Sequence, residues 1–234
     1  MHQQWVIPAI LCLLCANTSV SGSPIYQNDF ETSAGPEWDN PGRDTAPAGQ
    51  VFLGRGNNDS RTLTLTNLPS HSAVRLTFDL YIIESWDGNN TFPAYVGPDH
   101  WKLLVVGGPV LMDTTFGGGN DSYPEFEPGG GVSPYLASYT AGIFGSLGYI
   151  FFGTPNSDAV YTLQFLIPHS ASTVGFEFSG YGLQNLADES WGLDNVRVDL
   201  DPQAVPAPSA LWVALGGMLL LIRRWPARRQ LPAV

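Results

Sequence analysis

Two short acidic segments carry the side chains best suited to chemistry. Glu84-Ser85-Trp86-Asp87-Gly88-Asn89-Asn90 and Gly97-Pro98-Asp99-His100-Trp101 each surround turn-forming residues, and the second follows the first within the same connection. As facing loops they bring Glu84, Asp87 and Asp99 beside Trp86 and Trp101. Carboxylates accept hydrogen bonds from hydroxyls and indole faces stack on C–H-rich sugar rings, so the combination suits a glycan. The same carboxylates suit a hard cation such as calcium, which takes oxygen ligands. A plainer reading is a tight turn whose tryptophans cap the core.

The spacing offers less to catalysis. Glu125-Phe126-Glu127 lies in glycine-rich chain, and Asp188 and Glu189 are adjacent, so they point to opposite faces of an extended strand. The Gly-x-Ser-x-Gly elbow and the phosphate-cradling glycine patterns are absent. His71, His100 and His169 lack metal-ligand spacing; Pro-Ser-His and Pro-His-Ser around His71 and His169 predict exposed turns. Two carboxylates roughly 5–9 Å apart can still converge from distant strands. A polysaccharide hydrolase or lyase is therefore the alternative to a non-catalytic glycan-contacting or structural module.

These residues need a scaffold, and the periodicity supplies a β one. Val74, Leu76, Phe78, Leu80 and Ile82 alternate with Arg75, Thr77, Asp79 and Tyr81, which predicts a long half-buried strand over Ala73–Ile83. Shorter strands are predicted over Ile25–Phe30, Gln50–Leu53, Arg61–Leu65, Trp101–Val106, Leu111–Phe116, Val160–Ile167, Thr173–Ser179 and Asn195–Leu200. With 26 glycines and 19 prolines as punctuation and no amphipathic helix, the fold class is all-β, an antiparallel sandwich of jelly-roll type. Ten glycines between Gly117 and Gly153 predict a long loop. Trp191 and Leu193 are odd while Val196, Val198 and Leu200 are even, so the inward face must switch at Asp194-Asn195 through a bulge or bend.

Glu189-Ser190-Trp191-Gly192-Leu193-Asp194-Asn195-Val196-Arg197-Val198 resembles the closing strand of concanavalin-like and jelly-roll carbohydrate-binding domains, and Asn28-Asp29-Phe30-Glu31 resembles their first strand. The resemblance implies that the two strands are neighbours and share a structural calcium ion, with Asp29, Glu31 and Asp194 as its ligands.

Charge divides the 234 residues into three parts: a signal peptide over 1–22, a sandwich domain over 23–201 and a tail over 202–234. Residues 1–22 carry no Asp, Glu, Lys or Arg, and the apolar run Trp5–Ala16 is too short to cross a bilayer of roughly 30 Å. It reads as the hydrophobic region of a secretory signal, and it contains both cysteines, Cys12 and Cys15. Residues 23–204 hold all 21 acids but only six bases, a net charge of −15 that excludes nucleic acid as a partner.

At the far end, Val205-Pro206-Ala207-Pro208-Ser209 leads into an uncharged stretch closed by Arg223, Arg224, Arg228 and Arg229, which reads as a transmembrane helix with a basic stop-transfer flank. This arrangement resembles the PEP-CTERM sorting signal of bacterial exported proteins, with Ala207 where that family carries Glu. The resemblance implies a membrane stage, removal of the helix by an exosortase-like processing enzyme, and a final place at the cell surface or outside. It also implies a setting rich in exopolysaccharide or cell-surface glycan. Mass spectrometry of the protein recovered from outside its host should find a C-terminus near Pro206–Ser209; an intact Arg229 in that fraction would contradict processing.

Overall fold

The computed structural model describes residues 24–89, 96–117, 133–140 and 142–201. The expected export signal, the expected sorting motif at Val205–Ser209 with Arg223 and Arg224, and the Glu125–Glu127 pair lie outside the described residues. Within them the secondary structure is entirely β: β1 (Tyr26–Asn28), β2 (Arg43–Thr45), β3 (Val51–Gly56), β4 (Ser60–Thr66), β5 (Ala73–Glu84), β6 (His100–Val105), β7 (Val110–Thr115), β8 (Leu136–Tyr139), β9 (Ile143–Phe144), β10 (Ile150–Phe151), β11 (Thr154–Pro155), β12 (Asp158–Pro168), β13 (Thr173–Tyr181) and β14 (Glu189–Asp201).

All nine predicted strands are present with ends shifted by a few residues. The glycine-rich stretch departs from expectation: its described part is not plain loop but supplies β8 and β9, which pair with β12, and the hairpin β10–β11. Short apolar pairs such as Ile143-Phe144 and Ile150-Phe151 add edge pairing there without any long alternating run.

Apart from the β10–β11 hairpin, which stands as its own two-stranded sheet, the described strands form two antiparallel sheets. The larger runs β2-β3-β14-β5-β12-β8, with β1 added on β14 and β9 on β12; the smaller runs β4-β13-β6-β7. Period-two alternation sends one set of side chains from each sheet into a shared core. From β5 these are Val74, Leu76, Phe78, Leu80 and Ile82, all fully buried. Phe78 meets Phe178 of the smaller sheet edge-on at 5.3 Å between ring centres and Trp101 at 5.8 Å. A second apolar cluster, Ala46, Phe52, Tyr81, Ile83, Leu147 and Tyr149, covers part of the opposite face of the larger sheet.

The parity change in the closing strand is a bulge, as the sequence requires. The β14–β5 ladder slips between Asp194 and Arg197, and Asn195 takes a φ of 50°, a left-handed conformation that Asn tolerates better than most residues. Trp191 and Leu193 on one side of it, and Val196 and Val198 on the other, are thereby all fully buried. The first and last strands are neighbours, with Tyr26 opposite Val198 and Asn28 opposite Val196.

The expectation of exposed histidines is corrected at His71, which is buried because its turn folds under the β12–β13 connection. Its Nδ1 lies 2.6 Å from Pro69 O, and its Nε2 lies 2.7 Å from Nδ1 of His169 with the rings stacked. Pro69 O can only accept, which assigns the proton to His71 Nδ1 and leaves Nε2 to accept from His169. Burial first, and then the neighbouring His71, lowers the pKa of His169 below its ordinary 6.5. The folded state therefore binds fewer protons than the unfolded chain just below pH 6.5, and this contribution to stability, intact above that value, is lost as pH falls from it through the lowered pKa of the folded state. Thermal melts between pH 5 and 8 should show wild type losing stability on acidification relative to His169→Gln. A difference between the two that does not change with pH would refute the assignment.

Candidate functional site

At one end of the larger sheet β5 leaves the core and β14 enters it, with Glu84 directly opposite Glu189. Arg55 holds Glu84 in an ion pair at 2.7 Å and donates to Ser190 Oγ and Leu186 O. The β5–β6 and β13–β14 connections are then tied together. Ser85 donates from its backbone to Asp188 O at 2.9 Å and from its hydroxyl to Asp188 Oδ1 at 2.5 Å, and Trp86 Nε1 donates to Ser190 O at 2.9 Å. Gly88 donates to Phe116 O and Asp99 donates back to Gly88 O, each at 2.9 Å. This folds Asp99 against Asp87, whose backbone N–H donates to Asp99 Oδ2.

Three carboxylates converge there. Asp87, Asp99 and Glu189 each offer an oxygen, and these atoms lie within 4.8 Å of one another; among the described residues no other group of three acids, histidines or cysteines does so. Asp99 and Glu189 have 0% of their surface exposed, while Asp87 is partly exposed. Gln184 clasps the group, donating from its backbone to Glu189 Oε2 at 2.5 Å and from its side-chain amide to Asp87 Oδ2 at 3.3 Å. Burial, with Asp99, Asp188 and Asp87 around it, pushes Glu189 up to about 9 against the pull of the Gln184 N–H.

Such a cluster can hold protons or bind a cation. Glycosidic cleavage needs two carboxylates open to either side of a sugar, and here two of the three are sealed from solvent. Asp87 and Asp99 were legible as turn acids in the sequence. Glu189 was not, because its side chain joins them only through the Glu84–Glu189 register of two strands about a hundred residues apart.

The tryptophans require a correction. Trp86 and Trp101 both have 0% exposure and pack around Phe116, so neither offers a face to a sugar. An indole beside a turn acid buries its large apolar surface in the core whenever the sandwich is open to it at that point. Glu84 is likewise absorbed by Arg55 and lies outside the carboxylate group.

The expected first-strand calcium ligands are corrected too, since Asp29, Glu31 and Asp194 form no such group. Asp29 and Glu31 are exposed, their oxygens accepting from the backbone of Glu31 at 3.2 Å and of Val51 at 3.3 Å. Asp194 is buried on the bulge and accepts from Tyr81 at 2.6 Å and from the Asn195 backbone at 2.7 Å.

A second feature lies on the outer face of the smaller sheet. Tyr181, His100 and Thr115 sit opposite one another across β13, β6 and β7, and Ser179, Lys102 and Asp113 form the next row. The Tyr181 and His100 rings stack at 4.6 Å, and Asp113 Oδ1 accepts from Tyr181 at 2.6 Å and lies 3.3 Å from His100 Nδ1. Lys102 Nζ stands 3.9 Å from the same carboxylate. Tyr181 remains 41% exposed, and the face continues over Glu177, Ser60, Thr62, Thr64 and Thr66. Sequence reasoning missed this group because its members are single residues on three strands that only the register aligns.

No family model and no curated protein matches the chain. Three solved structures are similar at low TM-score. The CBM22-1 xylan-binding domain of Paenibacillus barcinonensis Xyn10C has a TM-score of 0.38 at 14% identity, over 79% of this chain and 98% of that one. The C-terminal CBM6 of LamC, a marine laminarinase of Zobellia galactanivorans, gives 0.35 at 11% identity, over 74% and 98%. The Agl-KA catalytic domain gives 0.32 at 13%, over 81% of this chain and 30% of its own. None of these superpositions is close enough to carry a site or a ligand across.

Asp194 provides a test of the buried bulge. Burial, with Asp79 and Glu31 nearby, pushes it from 3.8 to about 6, so between those values the folded state holds a proton that the unfolded chain releases. Its contribution to stability therefore falls as pH rises through that window, by at most ~1.4 kcal/mol per pH unit. Asp194→Asn should gain on wild type in melting temperature from pH 4 to pH 6 and hold a constant difference above pH 7. A difference that is flat across the whole range would show that Asp194 is ionised throughout.

Proposed function

We propose that the protein is an exported, non-catalytic β-sandwich module that contacts a neutral, hydroxyl-rich glycan through the outer face of the smaller sheet. The reading rests on the Tyr181–His100–Asp113–Lys102 group. It presents a partly exposed aromatic ring with a carboxylate and an ammonium beside it on a rigid sheet, and rows of Ser and Thr hydroxyls extend from it. An aromatic ring takes up the C–H face of a pyranose while the charged groups and hydroxyls hydrogen-bond its rim. The body's net charge of −15 argues for a neutral polymer over a polyanionic one. The export signal and the PEP-CTERM-like tail give the module its place: through the inner membrane, past an exosortase-like enzyme, to the surface or the surrounding matrix.

Affinity electrophoresis of the purified full chain in gels containing neutral polysaccharides, such as xylan or a β-glucan, tests the reading. Migration should be retarded by at least one of them. Tyr181→Ala should weaken the retardation about tenfold, a loss of ~1.4 kcal/mol, while the protein still melts cooperatively as a folded domain. Retardation by none of the neutral polymers, or a Tyr181→Ala protein that migrates like wild type, would overturn the assignment.

A further inference from the structure

The acidic group at Asp87, Asp99 and Glu189 plays no part in the glycan face, and it poses a separate electrostatic problem. Taking carboxylates out of water is costly unless opposite charge or hydrogen-bond donors replace the solvent. Donors are scarce around Glu189. Its Oε2 accepts from the Gln184 N–H, but its Oε1 is buried and accepts no hydrogen bond from any described residue. The charged groups that act on it, Asp99, Asp188 and Asp87, are all acidic. Arg55, the base that holds Glu84 across the ladder from Glu189, is committed to Glu84, Ser190 and Leu186.

We propose that Asp87, Asp99 and Glu189 bind one calcium ion that pins the β5–β6 connection to the start of β14. The ligand atoms are all carboxylate oxygens, which selects a hard cation over the softer transition metals. Their spread, within 4.8 Å, is one that oxygens placed ~2.4 Å from a single calcium ion can span. Calcium also tolerates an irregular ligand set, whereas magnesium demands near-ideal octahedral geometry at shorter distance. The partly exposed Asp87 leaves the ion a route from solvent and room for water to complete its shell. The buried Glu189 Oε1 gains in the ion the partner that no described donor supplies. Backbone pairing itself anchors both strands, since the β14–β5 ladder runs through Glu189 and Glu84. The ion thus adds a cross-link between two connections rather than creating the sheet.

Trp86 and Trp101 are sequence neighbours of Asp87 and Asp99, which supplies an optical readout. Terbium, a hard cation that substitutes for calcium, luminesces when indoles close by transfer energy to it. The test uses the full chain, stripped with EDTA and then titrated with calcium chloride in thermal melts and with terbium chloride under tryptophan excitation. Wild type should melt higher by roughly 5 °C or more at 1 mM calcium, return on adding EDTA, and show terbium emission that calcium displaces. Glu189→Gln keeps the side-chain shape and an acceptor for the Gln184 N–H while removing the charge. It should lose the calcium shift, bind terbium at least tenfold more weakly and, free of metal, be no less stable than wild type. If that variant does not fold, the partly exposed Asp87→Asn reads the same loss. Glu31→Gln, just beyond the first strand, should keep the full response. A wild type indifferent to 5 mM calcium and dark with terbium would overturn the site. So would Glu189→Gln and Asp87→Asn proteins that respond like wild type, or a response lost with Glu31→Gln, since each would place the ion elsewhere.

Discussion

The register of β14 against β5 is the constraint on which both ends of the molecule depend. The two strands pair from Glu189↔Glu84 to Asp201↔Ala73, and a single irregularity at Asp194–Arg197 interrupts them. Were the strand continuous, either Trp191 and Leu193 or Val196 and Val198 would face outward, because a shift of one residue exchanges the faces of everything beyond it. The extra residue at Asn195 lets both sets face the core. One consequence lies at the start of β14, where Glu189 is delivered to Asp87 and Asp99. The other lies near its end, where Val196 and Val198 receive β1.

Trp191 shows how little freedom that register leaves. Its ring occupies space that two glycines keep open: a Cβ on Gly56 would come within 2.5 Å of the indole, and one on Gly180 within 2.7 Å. Gly56 belongs to β3 in the larger sheet and Gly180 to β13 in the smaller, so the ring is wedged where the sheets approach. Its Nε1 donates to Asn57 O at 2.9 Å, and the buried guanidinium of Arg61 lies 5.8 Å from the ring centre. A side chain held on all sides fixes the two residues before it as well. The carboxylate of Glu189 therefore sits on rigid backbone, which suits a binding group more than a mobile catalytic one.

Strands were legible in the sequence because a half-buried sheet writes its geometry with period two, and β5 does so from Ala73 to Leu80. The bulge was legible for the same reason, as a break in parity. Depth along a strand end was not. Nothing local distinguishes Trp86 capping the core from Trp86 lining a cleft, since the outcome depends on Phe116 and Ser190, residues far away in the chain. His71 misled in the same way: a Pro-Ser-His turn is exposed unless another turn, here the one bearing His169, closes over it. The Tyr181–His100–Asp113 group draws on three strands, and Glu189 reaches Asp87 and Asp99 from a distant part of the chain, so only pairing registers could complete either group.

Charge placement explains why these two groups differ in kind. The domain has few bases, and in the fold they are spent locally: Arg197 on Asp199, Arg75 on Asp201, Lys102 on Asp113, Arg55 on Glu84, and Arg43 on the carbonyls of Phe30 and Glu31. Arg61 is buried among carbonyls and the Trp191 ring, 3.8 Å from Asp59. Asp113 thus has its own cation and remains on an open face, free to exchange hydrogen bonds with a ligand at little electrostatic cost. The charged groups that act on Glu189 are all acidic, and Glu189 and Asp99 are removed from water. Protons or a cation from outside the chain relieve charge of that density in a buried place. With every cysteine confined to residues 1–22, the sandwich has no disulfide to tie its connections together. A divalent ion seated between the β5–β6 and β13–β14 connections would supply that tie through oxygens of Asp87, Asp99 and Glu189.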